Sequence, residues 1–464
     1  MWTYLPPALT RREALPTFSH MKISHLLPAF FLSVCLHAST ERPNLLLIMA
    51  DDMGYECLGA NGGADYQTPF LDQLAAGGMR FEHAHSQPIC TPSRVKIMTG
   101  MSNARNYVRF GILDPRSTTF GNLIQKAGYK TCIAGKWQLQ GGFEGPNKFG
   151  FDEYCLWQLT RRPCRYPNPG FEINGKEVDF TNGEYGPDID SDYLCKFMEE
   201  NKEGPFLAYY PMILPHWPFQ PTPDSKDWDP KETKEWPRNK WDKPHFQDMV
   251  AYVDKLVKKL VDKVDSLGIR ENTLILFTCD NGTYTGITSK MKDGTIIHGG
   301  KGSTPDAGNR VPFIANWKGT IEPGQVRKEL VDFSDVLPTL CEAAGAKIPC
   351  ELPLDGQSFF PLLKGQPYTP KPSFYMWYAR NGGPTGKEFA RNQRYKLYRT
   401  GEFYDIDNDR TEEKPLAPAK LSPDAQAIRK MLQAKLDDFK DARKITSTKL
   451  PWEETEKPKK QQKN

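Results

Sequence analysis

Four short strand-like runs constrain this chain most, Asn44–Met49, Tyr129–Ala134, Phe206–Tyr210 and Thr273–Thr278, the first of them continuously apolar after Asn44. A strand that faces water on one side alternates polar and apolar residues. A continuous apolar run of this length instead reads as a strand covered on both faces. Between the runs lie helical patterns. Thr68-Pro69 opens one that continues to Ala76 and stops at Gly77-Gly78, and Thr119–Ala127 reads as a second. A third, Phe246–Leu267, places Val250, Val253, Leu256, Val257, Leu260, Val261 and Val264 on one side. Strands alternating with helices predict an α/β fold with a mainly parallel sheet flanked by helices. Val311–Ala315 adds a further strand. After Leu340 the pattern changes to the short strands Ser373–Tyr378, Tyr395–Tyr398 and Glu402–Tyr404 and the helix Asp424–Phe439. The expected organisation is a catalytic domain over 40–345, a smaller C-terminal α+β domain over 346–445 and a disordered basic tail over 446–464.

Two of the runs end in acid, one in Asp51-Asp52 and the other in Asp280-Asn281-Gly282. Ligands of such sheets gather at the carboxyl ends of strands. These residues offer only oxygen donors, the set that hard cations such as Ca2+ or Mg2+ prefer. Taken singly, each pair also suits a turn or a helix cap. The third notable stretch is Cys90-Thr91-Pro92-Ser93-Arg94. By itself it suits a helix start, with Thr91 as cap and Pro92 at the first helical position.

Composition removes several classes of function. With 61 basic and 57 acidic residues the formal charge is +4, so no nucleic-acid surface is expected. Part of the basic excess sits in Lys457-Pro458-Lys459-Lys460. Met21-Lys22 precedes the apolar run Leu26–Leu36 and the small residues Ala38-Ser39, the layout of a signal peptide over 1–39. That run is too short for a stable membrane span. Residues 1–20 have no apolar core, so Met21 is a candidate start. Cys35 invites a lipid-attachment reading, which the bulk of Val34 before it disfavours. The expected location is periplasmic or secreted. Apart from Cys35 and Cys90, eight of the ten cysteines remain, with Cys341/Cys350 and Cys155/Cys164 as short-range candidates for pairing. No Cys-x-x-Cys pair or histidine cluster suggests zinc.

Taken together in chain order, the blocks resemble the type I sulfatase family of the alkaline phosphatase-like superfamily. Cys90-Thr91-Pro92-Ser93-Arg94 resembles its modification signature, and Pro43 through Gly54 its opening strand with two metal aspartates. Gly135-Lys136-Trp137, Pro215-His216-Trp217-Pro218-Phe219, Asp280-Asn281-Gly282, Lys301 through Pro312 and Phe403-Tyr404-Asp405-Ile406 resemble later blocks, so the resemblance spans roughly Arg42 to Pro415. It implies that Cys90 is converted to formylglycine by a formylglycine-generating enzyme. It also implies a Ca2+ (Mg2+ as the alternative) held by Asp51, Asp52, Cys90, Asp280 and Asn281. Arg94 would steady the aldehyde hydrate. Lys136, His216 and Lys301 would bind sulfate oxygens, with His216 or Lys301 protonating the leaving alcohol. One hydroxyl of the hydrate attacks sulfur and expels the alcohol; the second then drives loss of sulfate and restores the aldehyde.

One block departs from the family pattern. The usual Gly-Lys-Trp-His is here Gly135-Lys136-Trp137-Gln138. Glutamine can hydrogen-bond to the hydrate and to substrate, yet it is no base near neutral pH. Either another group, with His298 the candidate, assists release of sulfate, or turnover is slow. Asp306 stands where many relatives have Glu. The leading expectation is hydrolysis of a sulfate monoester of a sulfated carbohydrate or an aryl alcohol. The alternatives are a phosphate or phosphonate ester hydrolase on the same scaffold, and a glycan-binding protein with little turnover. Trp217, Phe219, Trp228, Trp236 and Trp241, the last three in the loop Lys226–Lys243, are candidate sugar-stacking walls.

Overall fold

The computed structural model describes residues 42–232 and 242–450. The expected signal peptide, Trp236, Trp241 and most of the basic tail lie outside those residues. Among the described residues the core is a ten-stranded sheet. Its strands are β1 (Asn44–Ala50), β2 (Met79–His85), β3 (Lys130–Lys136), β4 (Glu153–Trp157), β5 (Gly170–Ile173), β6 (Lys176–Asp179), β7 (Phe206–Pro211) and β8 (Thr273–Cys279). A hairpin, β9 (Thr288–Lys290) and β10 (Ile296–His298), stands apart. β11 (Phe313–Asn316) and β12 (Gln325–Asp332) complete the sheet. Its order is β12-β2-β11-β8-β1-β7-β3-β4-β5-β6.

The block β8-β1-β7-β3-β4 is parallel throughout. Every residue of β1, β7 and β8 is buried, which is what their largely apolar sequences require. β11 runs antiparallel to both β2 and β8, and β5 runs antiparallel to β4 and β6. The predicted mainly parallel sheet is therefore present, with two reversed strands. The helices Pro69–Ala76, Phe120–Lys126 and Lys243–Ser266 fall where the apolar periodicity predicts them. Thr119 caps the second by accepting from the Asn122 amide.

The C-terminal region forms a four-stranded antiparallel sheet of β13 (Phe374–Tyr378), β14 (Lys387–Arg391), β15 (Tyr395–Tyr398) and β16 (Phe403–Asp405), beside the helix Pro423–Asp437. Tyr375 stacks on Phe439, which follows that helix, with ring centroids 4.0 Å apart. Cys341 is buried in the helix Val336–Ala344, whereas Cys350 is exposed and lies 3.5 Å from the Glu351 carboxylate. Cys155 is a free, buried thiol in β4. Neither suggested short-range disulfide is formed. Among the described residues no helix is long and apolar enough to cross a membrane.

Candidate active site

The site forms where parallel strands end. β1 delivers Asp51 and Asp52, β8 delivers Asp280 and Asn281, and β3 ends on Lys136. The chain beyond β7 brings His216. Beyond β2, residues 86–89 lead into the helix Cys90–Thr99. This helix does not begin at a Thr91 cap. Ile89 is the extended residue before it, Cys90 is its first residue and all ten of its residues are buried. The Thr-Pro pair therefore lies two residues deeper in the helix than its usual capping role would place it. Ser93 fixes the first turn: its hydroxyl accepts from the Gln87 amide at 3.0 Å and lies against the carbonyl oxygen of Asp280. Cys90 is thereby held beside the acidic end of β8.

Asp51, Cys90 and Asp280 each present a ligand atom within 4.8 Å of the others, as do Asp51, Asp52 and His216. The Asp52 amide donates to Asp280 Oδ1 (3.1 Å), and Asn281 Nδ2 donates to Asp52 Oδ1 (2.7 Å). Asp52 adopts φ +68°, a left-handed backbone that non-glycine residues adopt at an energetic cost and that clusters at functional sites. Two buried oxygens, Asp51 Oδ1 and Asn281 Oδ1, have no hydrogen-bond donor. Buried oxygens of this kind are costly unless something is bound to them. An oxygen-rich donor set with two unclaimed atoms fits a hard divalent cation.

Three cations balance the three carboxylates. Lys136 Nζ lies 2.5 Å from Asp51 Oδ2, and Lys301 Nζ lies 2.5 Å from Asp52 Oδ2. Arg94 Nη2 lies 3.3 Å from Asp280 and 3.7 Å from Asp51, while its Nη1 donates to the Lys136 carbonyl oxygen at 2.7 Å. Burial and the neighbouring Asp51 push the Asp280 carboxyl well above the ordinary range. Burial opposes ionisation of Asp51 too, but Lys136, Arg94 and Lys301 prevail and hold it low. The Cys90 thiol is pushed up by burial, against the pull of Lys136 and Lys301. An unmodified thiol here is a poor nucleophile, since reactivity belongs to the thiolate.

His216 sits between these groups and a residue that no sequence motif signals. Arg165 Nη1 lies 3.0 Å from His216 Nδ1, and the guanidinium stacks over Trp157 at 4.4 Å. Burial, then Lys301, Lys136 and Arg165, push the His216 imidazole well below its usual pKa, so it is neutral at pH 7. A guanidinium only donates. The same Nδ1 lies 2.5 Å from the Trp217 carbonyl oxygen, which only accepts, so Nδ1 faces both a donor and an acceptor; Nε2 lies 3.8 Å from Asp52 Oδ2.

Gln138 follows β3 in the left-handed region (φ +58°), with its Oε1 buried and unpartnered. Gly135 just before it has φ +124°, and a Cβ there would come within 2.1 Å of the Pro211 carbonyl oxygen, so β3 and β7 close together only over glycine. His298 is not brought into the cluster. In β10 Ile297 turns inward, so its neighbours point outward, and the exposed His298 imidazole lies 3.0 Å from Thr288 Oγ1. Trp217 stacks on Tyr284 and Phe219 packs edge-on against Phe246, whereas Trp228 packs edge-on against Tyr185. Phe219 is fully buried, which makes it core rather than a sugar wall. Sequence reasoning also missed Tyr378, which packs against Ile89 and Cys90 from the C-terminal sheet. Only the folded chain brings residues so far apart in sequence together.

The model of the Sulfatase family matches residues 43–346, and that of the N-sulphoglucosamine sulphohydrolase C-terminal region matches 304–442. This chain belongs to the sulfatase family. Arylsulfatase A of Bos taurus is 32% identical over 397 residues, covering 78% of this chain and 75% of the relative. The crystal structure of Ps i-CgsB in complex with k-i-k-neocarrahexaose superposes with a TM-score of 0.72 at 26% identity, covering 89% of this chain and 96% of the other. BT4656, solved with D-glucosamine-2-N,6-O-disulfate, shares the fold at 22% identity and a TM-score of 0.70, covering 87% of this sulfatase and 100% of that chain. The sulfatase is thus a sulfuric ester hydrolase with an acidic, metal-suited cluster at the carboxyl edge of its sheet.

Proposed function

We propose that this enzyme hydrolyses a sulfate monoester of a carbohydrate, with Cys90 matured to formylglycine and a Ca2+ ion bound by Asp51, Asp52, Asp280, Asn281 and residue 90. The observation that carries the reading is the meeting of Cys90 with three buried carboxylates and two unclaimed oxygens at one strand edge. Once present, the aldehyde hydrate supplies the nucleophile, and the cation offsets charge on the ester. The chain's own residues do the rest. Lys136 and Lys301 exchange their aspartate partners for sulfate oxygens. His216 places Nε2 beside Asp52 as a third polar group for the sulfate. Arg94 holds Asp51 and Asp280 in place through its guanidinium. His216 or Lys301 supplies the proton to the departing alcohol. Neighbours solved with a neocarrahexaose and a disulfated glucosamine support the carbohydrate class. The layout of residues 21–39 supports export to the periplasm or cell exterior.

Mass spectrometry of the peptide containing Cys90, with sulfate release measured on the same preparation, tests this reading. The expected result is the aldehyde, with release that is lost on chelation and restored by Ca2+. An unmodified thiol in protein from a maturation-competent host overturns it, as does faster turnover of a matched aryl phosphate. Gln138 favours a second reading, in which sulfated glycan is retained with little turnover. Tight binding without sulfate release would establish that one.

A further inference from the structure

The C-terminal sheet ends β13 on Tyr378, and that ring does not stay within its own domain. It packs on Ile89 and Cys90, with the half-buried Phe110 against the same cluster. Its hydroxyl approaches Gly302, next to Lys301: a Cβ on that glycine would lie 3.8 Å from it. The hydroxyl also feels both Arg380 and Lys301 electrostatically, although burial dominates and pushes it up to about 12.

The turn that follows is anchored to the catalytic domain. Tyr107 Oη donates to the Arg380 carbonyl oxygen at 2.7 Å. Arg443 donates to the carbonyl oxygens of Gly383 and Tyr107, at 3.0 and 2.8 Å, bridging the two segments. Gly382 has φ +69°, and a Cβ there would overlap the Val108 carbonyl oxygen, so the turn closes on residues 107–109 without room for a side chain. The Gly111 amide, one residue past Phe110, donates to Thr91 Oγ1 (3.1 Å), tying this loop to the helix that begins at Cys90. The backbone of Arg380 is thus fixed. Its side chain is exposed and has no ion pair or hydrogen bond among the described residues.

Arg94, Lys136 and Lys301 are each already paired with a carboxylate of the cluster. Arg380, two residues past Tyr378 and close enough to act on its hydroxyl, is exposed and is not so paired. We infer that Tyr378, Phe110 and Arg380 form a substrate subsite for a sugar ring carrying a second anionic group, a sulfate or carboxylate, besides the ester that is cleaved. The half-buried Phe110 takes the apolar face of the ring, backed by Tyr378 (7% exposed), and the planar guanidinium takes the second anion, for which its fork of donors is suited. The inference rests on the proposed sulfated-carbohydrate substrate and narrows it to polyanionic sugars.

Titration calorimetry on the intact protein tests it with two probes, glucosamine 6-O-sulfate and glucosamine 2-N,6-O-disulfate. The wild type is expected to bind the disulfated sugar about tenfold more tightly. Arg380→Ala should reduce that preference to less than about twofold, Arg380→Lys should keep part of it, and Arg380→Glu should reverse it. Residue 380 is exposed, so these variants fold. A preference unchanged in Arg380→Ala overturns the inference, and so does equal binding of the two probes, or no binding of either, by the wild type. Sulfate release does not enter this readout. Failure of the proposed catalytic function is therefore recognised separately, as binding without hydrolysis.

Discussion

Two buried charge clusters flank the segment 301–310, and they are built to opposite ends. At the carboxyl edge of the sheet, Asp51, Asp52 and Asp280 face Arg94, Lys136 and Lys301, yet Asp51 Oδ1 and Asn281 Oδ1 are left without donors. At the junction with the C-terminal sheet, Asp306 is clasped by Arg391, whose Nε and Nη2 donate to the carbonyl oxygens of Asn392 and Gln393, each at 2.9 Å. Lys396 donates to Glu412 (2.6 Å) and to the Thr304 carbonyl oxygen (2.7 Å). Charge alone does not mark a site. The first cluster leaves acceptors free and lies against Cys90; the second closes its carboxylates and cations on one another and on backbone oxygens.

The sharpest way to break this comparison is to remove a charge from each cluster. Asp280→Asn should lower the rate of sulfate release by about 10^4-fold while leaving thermal stability nearly unchanged. Arg391→Met should do the reverse. It strands Asp306 as an uncompensated buried carboxylate, a change that costs about 3–5 kcal/mol in denaturant unfolding. A large stability loss from Asp280→Asn, or none from Arg391→Met, would erase the distinction.

Acid should act on the closed cluster through His83, beside it on β2. Burial, then Arg310 and Arg391, push its imidazole down to about 4 from an ordinary 6.5. The unfolded chain therefore takes up a proton before the folded one does. This contribution to stability is complete above pH 6.5 and is lost as pH falls towards 4. It amounts to about 2 kcal/mol after allowance for partial exposure. Unfolding midpoints of His83→Gln should depend correspondingly less on pH across that window. Equal slopes for variant and wild type would remove His83 from the account.

The smallest effect tests the open cluster from within. Gln138→His puts a base two residues beyond Lys136, at a backbone conformation that histidine tolerates better than most side chains. Multiple-turnover kcat should rise by about tenfold if departure of sulfate limits the cycle. An unchanged kcat would show that the glutamine does not limit turnover.

Much of this was legible in the chain itself, and the remainder has a physical reason for being hidden. The strands that are buried on both faces announced themselves, because little polar survives there. The acidic pairs at their ends followed from strand direction alone. His298 was a reasonable candidate by its place three residues before Lys301, but the two-residue alternation of β10 turns it outward. The helix start at Cys90 was misplaced because Thr91 and Pro92 carry the local signature of a cap, while the packing of Ser93 against Asp280 decides the geometry. Arg165 and Tyr378 could not be found from any local pattern, since each meets the site only through contacts between segments distant in the chain.

The helix Cys90–Thr99, with all of its residues buried, also sets an order of events in time. A small ester need reach only the side-chain tip of residue 90. An enzyme that remodels a side chain must grip several residues on either side of it, and here those residues are already enclosed. The conversion proposed for Cys90 would therefore belong to the interval between synthesis of this segment and its packing against Phe333–Asp335 and the helix Val336–Ala344. On that reading, a molecule that folded first would be shut out of maturation, however intact it looked afterwards.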